Sequence, residues 1–334
     1  MNWKEKTILV TGGTGSFGKK FIQILLNEYQ PEKVIVFSRD ELKQHEMRAA
    51  GFSQDNLRYF IGDVRDVERL RRAMYGVDVV VHAAALKQVP ACEYNPMEAI
   101  KTNILGSSNV VDAALDTGVE RVMALSTDKA VNPINLYGAT KLAAEKLTVQ
   151  SNAYAAGKDT RFSCVRYGNV VGSRGSVVPI FLKQRSHGKL TITDERMTRF
   201  WLSLEQGARF VIGCVEVMRG GEVFVPKIPS TTIVDLAKAI APKAAIDVIG
   251  IRPGEKLHEV LISEDEARST VEMADMYVVQ PAEAFWFGYE WRQQGQPLPD
   301  DYRYASNTNT QWLDRAQIQE IVAPIANEME IDKP

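Results

Sequence analysis

The 334-residue sequence has few of the residues that build disulfide frameworks and metal sites. Its three cysteines, Cys92, Cys164 and Cys214, lie far apart and without Cys-x-x-Cys spacing, so we expect buried thiols and a reducing compartment. Its four histidines include no helical pair of the kind that holds zinc, and no metal site is therefore expected.

Long apolar runs and an excess of charge are also missing. No stretch approaches the roughly 20 apolar residues that a membrane helix needs, and no signal peptide precedes the first predicted strand. The formal net charge is -2, so the protein has no field that would attract nucleic acid or an anionic membrane. We therefore expect a cytoplasmic protein with a small-molecule partner, no nucleic-acid partner and no membrane partner.

The first half of the sequence alternates β-branched runs with helical patterns. The runs are apolar almost throughout, which is typical of parallel strands buried on both faces, and helices such as those predicted at 17–27 and 137–156 would cover them. The predicted fold is α/β, a doubly wound parallel Rossmann sheet with a smaller, irregular C-terminal substrate-binding region. The predicted strands of this sheet are 7–11, 33–37, 57–61, 77–82, 121–126 and 162–166.

The sequence after residue 166 is irregular and rich in glycine, which suggests that the chain has two regions with different functions. We assign residues 1–166 to a dinucleotide-binding core, to which a return segment at about 205–228 adds a helix and a strand. Residues 167–204 and 229–334 are assigned to the substrate-binding region.

A glycine-rich turn follows the first strand directly and precedes a helical pattern. Gly12 permits the tight turn, Gly15 lets the backbone approach a pyrophosphate, and Gly18 lets the helix pack closely on the strand. This context predicts a nicotinamide dinucleotide at the turn. The expected contacts here are Gly12, Thr14, Gly15, Ser16, Phe17 and Gly18.

The end of the second strand bears on which dinucleotide is bound. An acidic residue usually holds the ribose 2′-hydroxyl at this place, but here the strand ends in Ser38-Arg39, and arginine suits a 2′-phosphate. The sequence thus favours NADP, while Asp40 and Lys43 beside the arginine leave NAD open. The remaining expected cofactor contacts are Asp63 and Val64 near adenine, Ala83, Ala84, Ala85, Lys87 and Asn103.

Tyr137 and Lys141 form a candidate catalytic pair. Four residues apart at the start of a helix, they share one face, and an ammonium group beside a phenol stabilises the phenolate that acts as a base. Thr127, after the fifth strand, supplies the hydroxyl that a simple dehydrogenase needs beside this pair. Asp128 and Lys129 are then additional acid–base groups, although they could instead cap the following turn.

Three segments, 127–129, 137–141 and 166–177, together resemble the inverting UDP-N-acetylglucosamine 4,6-dehydratases of the extended short-chain dehydrogenase/reductase superfamily. Tyr137 favours this branch, because close relatives of the retaining branch often carry methionine there. The resemblance implies a UDP-sugar substrate, a C5-inverted product on the route to pseudaminic acid and flagellin glycosylation, and a homo-oligomer, dimer or hexamer.

The resemblance also implies roles for the site residues. Tyr137 would take the C4 hydroxyl proton, with Thr127 and Lys141 orienting it, while Lys129 takes the C5 proton and Asp128 protonates the departing C6 hydroxyl. Lys129 then needs a lowered pKa, for which Lys141 and the nicotinamide cation offer a cause, and Asp128 would ordinarily stay ionised. The expected substrate contacts are Lys87, Asn169, Arg174, Val177, Arg199, Arg252 and Glu255; Lys87 could instead be a solvated loop lysine, and Arg174 and Arg199 could form surface ion pairs.

Rival functions share parts of this pattern. A UDP-sugar 4-epimerase or a retaining dehydratase would use the same oxidation at C4 with a different outcome. A non-catalytic dinucleotide sensor would have the fold without needing an acid–base set, and Asp128, Lys129, Tyr137 and Lys141 together argue against it.

Overall fold

The architecture is that of a computed structural model, which describes residues 1–155, 157–172, 176–281 and 291–331. Within these ranges the strands are β1 (Thr7–Thr11), β2 (Lys33–Ser38), β3 (Leu57–Ile61), β4 (Val79–His82), β5 (Arg121–Leu125), β6 (Arg161–Val165), β7 (Asn169–Val170), β8 (Lys189–Ile192), β9 (Thr198–Leu202), β10 (Val223–Pro226), β11 (Ser230–Thr232), β12 (Ala245–Val248), β13 (Val260–Ile262), β14 (Thr270–Glu272), β15 (Met276–Val279), β16 (Gln296–Pro297) and β17 (Tyr304–Ala305).

The helices alternate with the strands through the first half of the chain and then become shorter. They are α1 (Ser16–Ile24), α2 (Glu41–Ala49), α3 (Val67–Met74), α4 (Val89–Tyr94), α5 (Pro96–Ile100), α6 (Gly106–Thr117), α7 (Leu136–Gln150), α8 (Val177–Arg185), α9 (Leu204–Val217), α10 (Ile233–Ile240), α11 (Glu264–Ala267) and α12 (Arg315–Ile331). Short π-helical turns extend α1 to Tyr29 and join α5 to α6.

The central sheet has the order β16-β14-β15-β10-β6-β5-β4-β1-β2-β3. From β3 to β10 each neighbouring pair runs parallel. Side chains alternate between its faces: Ile8 and Val10 pack in a core with α1 and α9, and Leu9 packs in a second core with α3 and α6. The predicted doubly wound α/β fold is confirmed.

The strand predictions in the first half differ from the structure by at most two residues at either end. Two differences lie elsewhere. Three strands of the predicted substrate-binding region, β14, β15 and β16, join the central sheet instead of standing apart from it, with β15 antiparallel to β10. The helix predicted over 137–156 becomes α7 followed by a 3₁₀ turn that ends at Ala155, and residue 156 lies outside the described ranges.

A second, smaller layer carries its own apolar core. It contains the small sheet β11-β9-β7 and the parallel pair β12-β8, with α8, α10 and α12 packed around Phe181, Trp201 and Leu236. This layer faces the carboxyl ends of the central strands, where doubly wound sheets bind ligands. In the part of the chain that the structure describes, none of the helices has both the length and the apolar character needed to cross a bilayer.

Candidate active site

A single cleft of about 920 Å³ runs along the carboxyl ends of the central strands and under the smaller layer. It brings together nearly all the side chains that the sequence singled out. The predicted residues that line it are Gly12, Thr14, Gly15, Ser16, Phe17, Gly18, Ser38, Arg39, Lys43, Asp63, Val64, Ala83, Ala84, Ala85, Lys87, Thr127, Lys129, Tyr137, Lys141, Asn169, Val177, Arg199, Arg252 and Glu255.

The glycine-rich turn has the close approaches that only glycine allows. Gly12 adopts φ +66°, and a Cβ there would lie 3.0 Å from the backbone of Ala84. A Cβ on Gly18 would lie 2.6 Å from the backbone of Gly13. The turn therefore packs tightly on the segment that follows β4, and the amino terminus of α1, with its free N–H groups, lies at the cleft.

The end of β2 offers cationic groups to the cleft. Arg39 is 58% exposed, and its guanidinium lies 3.9 Å from the Asp63 carboxylate, a weak pairing that leaves it open to a ligand. Lys43 lies 3.1 Å from the Asp40 carboxylate, which also caps α2. The Ser38 hydroxyl accepts a hydrogen bond from Gln44.

Behind the cleft, His82 at the end of β4 is buried in a polar chain. The Thr11 hydroxyl oxygen accepts from the amides of Ala83 and Ala84, so its hydrogen points to His82 Nδ1 at 2.8 Å. The ring is then neutral with its proton on Nε2, which donates to Ser107 Oγ at 3.1 Å. Burial and the charge of Lys141 lower the pKa of His82 to about 3.

This buried histidine makes the stability of the protein fall with acid. Because the folded-state pKa is below the unfolded value of 6.5, the unfolded chain takes up a proton as pH falls below 6.5 and the folded chain does not. Between about pH 7 and pH 5 we expect the wild type to lose about 2 kcal/mol more of its unfolding free energy than His82→Gln loses. Urea unfolding of both proteins at the two pH values measures the difference, and equal losses would contradict the assignment.

Asn103 lies behind the cofactor half of the cleft and is not among the lining residues. Its side-chain oxygen accepts from Leu86 N at 2.8 Å, and its amide nitrogen donates to Leu86 O and to Thr140 Oγ1 at 2.9 and 3.0 Å. Direct contact of Asn103 with the cofactor remains a prediction. Asn103 fixes the loop after β4 against α7.

Tyr137 and Lys141 sit on the first turns of α7, as their spacing predicts. Asn135 caps this helix by accepting from Gly138 N at 2.8 Å. The Lys141 ammonium donates to Leu125 O at 2.6 Å, and burial lowers its pKa. Burial raises the pKa of Tyr137 to about 12, only partly offset by the charge of Lys129 and a hydrogen bond with Thr127.

Thr127, Asp128 and Lys129 form a compact charged group after β5. Asp128 is fully buried, and its Oδ1 accepts from Thr127 Oγ1 at 2.8 Å and from Lys129 Nζ at 2.9 Å. The expectation of a lowered pKa for Lys129 is wrong in this structure. Burial lowers it, but the charges of Asp128 and Glu259 outweigh burial, and the pKa is raised above its ordinary value.

Five of the predicted substrate residues present side chains to the cleft. Asn169, Val177, Arg252 and Glu255 present side chains to the cleft, and so does Lys87, whose pKa is lowered by burial and by the charge of Lys129.

Arg199 is bound more tightly by the protein than a surface ion pair would be. It is 8% exposed, and its guanidinium donates to the backbone carbonyls of Thr198, Leu257 and Lys256 at 2.7, 3.0 and 2.9 Å. These bonds anchor the segment that carries Arg252 and Glu255. Arg174 lies outside the described residues.

Glu259 and Trp201 are among the cleft residues that the sequence analysis did not identify as site residues. Glu259 is 2% exposed and lies 3.5 Å from Lys129 Nζ, and Trp201 is 4% exposed with an indole N–H that has no hydrogen-bond partner in the described ranges. Glu259 belongs to the charged segment that begins at Arg252. The sequence pointed to this segment, but it could not show which of its charged residues is buried in the cleft. Trp201 resembles an ordinary core residue of a strand, and no signal pointed to it.

Known proteins share this architecture and sequence. The sequence model of a family described as "Polysaccharide biosynthesis protein" matches residues 8–281. A UDP-N-acetylglucosamine 4,6-dehydratase (inverting) of Campylobacter jejuni is 54% identical over 328 residues, 96% of this chain and 98% of that protein. A UDP-glucose 4-epimerase of Rickettsia canadensis is 42% identical, covering 95% of each chain.

A solved structure extends the likeness to the whole fold. Pen from Bacillus thuringiensis superposes with a TM-score of 0.88 at 35% identity, covering 97% of this chain and 98% of that one. These matches span nearly the full length of the chain. It therefore belongs to the polysaccharide biosynthesis protein family, among extended short-chain dehydrogenases/reductases that include the inverting UDP-N-acetylglucosamine 4,6-dehydratases.

Proposed function

We propose that the protein is an NADP-dependent UDP-N-acetylglucosamine 4,6-dehydratase that inverts C5. The observation that carries the proposal is that the Tyr137–Lys141 pair and the Asp128–Lys129 pair meet at one sheet edge, beside the glycine-rich turn. An oxidation at C4 alone needs only the first pair. The second pair supplies acid–base groups for C5 and C6, and the 54% identical relative carries the name of this activity.

The residues would divide the work by position. Tyr137 takes the proton of the C4 hydroxyl, with Lys141 and Thr127 holding the phenol in place. Lys129, held by Asp128, serves the C5 proton and the C6 hydroxyl. The glycine-rich turn and the amino terminus of α1 fit a dinucleotide pyrophosphate, because the free N–H groups and the positive end of the helix dipole lie at the cleft. When bound, the dinucleotide supplies the hydride acceptor and donor.

Other residues that line the cleft would contact the substrate. Arg252 and Lys87 are cations suited to a diphosphate, and Asn169 and Glu255 offer hydrogen bonds to the sugar or the base. Arg174 and Val177 remain proposed contacts from the sequence, and Arg199 would act by holding the Arg252 segment. The product would be the C5-inverted 4-keto-6-deoxy sugar at the start of pseudaminic acid synthesis.

The alternative is a 4-epimerase, the name borne by the Rickettsia relatives. Mass spectrometry of the product separates the two, because dehydration removes one water and epimerisation leaves the mass unchanged. We expect a product lighter by one water. A product of unchanged mass would assign the cleft to epimerisation, and binding without turnover would favour the sensor.

The choice of NADP depends on Arg39. Charge-assisted hydrogen bonds to a 2′-phosphate contribute about 1.5–3 kcal/mol, so Arg39→Ala should weaken NADP binding by roughly 10- to 100-fold and leave NAD binding nearly unchanged. Calorimetric titration with both dinucleotides measures this. Arg65→Ala is the matched control, because Arg65 is paired with Asp63 and Glu98 and does not line the cleft. Equal losses for both dinucleotides would remove the argument for NADP.

The proposal includes a homo-oligomer, dimer or hexamer. Tyr94, Met97 and Leu105 on the helices before α6 are 88%, 56% and 51% exposed, and Tyr154 after α7 is 74% exposed. Large exposed apolar side chains are the groups that a protein interface would cover. Light scattering of the purified protein tests this, with a monomer as the contrary result.

A further inference from the structure

Glu259 is a buried carboxylate held rigidly at the wall of the cleft. It precedes β13, and Ser306 fixes its backbone from both sides: Glu259 N donates to Ser306 Oγ at 2.9 Å, and Ser306 N donates to Glu259 O at 2.8 Å. Its side chain lines the same cleft as Tyr137 and Lys129. The position is therefore fixed by the fold and not by a mobile side chain.

The Glu259 carboxylate has one oxygen in use and one free. Its Oε1 lies 3.5 Å from Lys129 Nζ and 3.7 Å from Arg199 Nε, while the buried Oε2 has no hydrogen-bond partner within the described residues. A buried carboxylate oxygen without a partner is costly unless it meets a ligand or a proton.

The Lys129 ammonium lies among three acceptors, Asp128 Oδ1 at 2.9 Å, Asn169 Oδ1 at 3.3 Å and Glu259 Oε1 at 3.5 Å. An ammonium so placed is a poor base as it stands. Asp128 and Glu259 each have one buried carboxylate oxygen, Oδ2 and Oε2, without a hydrogen-bond partner among the described residues. They differ in position: Glu259 lines the cleft, whereas Asp128 is fully buried, does not line it, and holds Thr127 and Lys129 through Oδ1. Glu259, with Oε2 free, can accept a proton.

We propose that Glu259 is the proton-holding partner of Lys129, so that the two residues together, and not Lys129 with Asp128, exchange protons with C5 and C6 of the sugar. This rests on the proposed dehydration. Lys129 passes one proton to Glu259 and becomes a neutral amine, which takes the C5 proton as the C5–H electron pair moves into the 4-keto enolate. The enolate expels the C6 hydroxyl, to which Lys129 gives a proton, and water leaves.

The proton count closes over these steps. The pair begins as ammonium and carboxylate, holds one extra proton as ammonium and carboxylic acid after C5 is deprotonated, and returns that proton with the departing water. The Glu259 carboxylic acid then restores the ammonium. Asp128 positions Lys129 through their 2.9 Å contact and takes no part in the proton transfers.

Glu259→Gln tests the proposal, because the amide keeps the size and cannot hold the proton. In a single turnover in deuterated water with UDP-N-acetylglucosamine and NADP, we expect C5 exchange and water loss to slow by about 100-fold, with reduced nicotinamide still formed within about threefold of the wild-type rate. Reduced nicotinamide should therefore accumulate. Glu259→Asp should recover part of the C5 exchange, and Glu264→Gln, an exposed carboxylate of α11, is the matched control.

The contrary outcomes are distinct. If both steps slow equally, or if only the KM for the UDP-sugar rises, Glu259 is a structural group or a substrate ligand and the proposal fails. Unchanged C5 exchange also overturns it. If Glu259→Gln does not fold, Glu259→Ala is measured instead: slowed C5 exchange with reduced nicotinamide still formed supports the proposal, and unchanged C5 exchange or equal slowing of both steps overturns it. Absence of dehydration in the wild type would instead refute the proposed function itself.

Discussion

Arg166→Met is expected to lower the free energy of unfolding by about 3–5 kcal/mol, the range found when one partner of a buried ion pair is removed. Arg166 is fully buried after β6. Its guanidinium bonds Glu145 of α7 at 2.5 and 3.1 Å, Glu266 of α11 at 2.9 and 3.0 Å, and Leu261 O at 2.8 Å. Methionine would leave the buried Glu145 carboxylate without its cation.

The control for this prediction is a surface arginine that, like Arg166, pairs with two carboxylates. Arg209 pairs with Glu28 and Glu205, but it is 44% exposed, and water screens such pairs. Arg209→Met should therefore cost a small fraction of the Arg166 effect. Urea unfolding followed by tryptophan fluorescence measures both variants, and equal losses would contradict the importance assigned to burial.

Arg166 also connects the parts of the site. Glu145, on the helix that carries Tyr137, accepts a hydrogen bond from Ser126 Oγ at 2.6 Å, next to Thr127. Glu266 follows the segment that ends in Glu259. A variant at Arg166 that still folds should therefore lose activity as well, because the two acid–base pairs depend on a shared anchor.

Tyr137→Phe is expected to lower kcat/KM for the UDP-sugar by about 10²- to 10⁴-fold, the usual contribution of a general base. The ring remains, so packing and dinucleotide affinity should stay near those of the wild type. The pKa of Tyr137 is raised to about 12, so its phenolate form is scarce near neutral pH. A positive charge beside the phenol would stabilise the phenolate. Activity on the acidic side should accordingly increase with pH.

Tyr277→Phe serves as the control for Tyr137→Phe. The Tyr277 hydroxyl bonds that of Tyr302 at 2.6 Å, and Tyr277 does not line the cleft. Steady-state assays should give it nearly wild-type kcat/KM. If Tyr137→Phe kept more than about a third of the wild-type value, Tyr137 would not be the base.

The sequence predicts correctly those features of the fold and the site that depend on residues close together in the chain. The glycine-rich turn, the strands with apolar runs and the Tyr137–Lys141 spacing depend on residues close in sequence, and each is where the sequence predicts it. The polar residues after β5 could be placed as well, because parallel strands bring their carboxyl ends to one edge.

Contacts between residues that are far apart in the chain could not be predicted from the sequence. The raised pKa of Lys129 depends partly on Glu259, which is 130 positions away in the chain and reaches the site only through the fold. The joining of β14, β15 and β16 to the central sheet likewise depends on pairing with β10, and short strands of this kind carry little periodicity. The Arg166–Glu145 pair shows the same dependence on packing.

Proton NMR of the product formed from UDP-N-acetylglucosamine in deuterated water tests the central claim most directly. Loss of the C6 hydroxyl, hydride return to C6 and solvent protonation at C5 predict a 6-methyl signal without splitting by C5, one deuterium at C5, and ring couplings of the inverted sugar. The original C5 configuration would contradict the inverting assignment. A C4-inverted sugar that keeps its C6 hydroxyl would contradict dehydration.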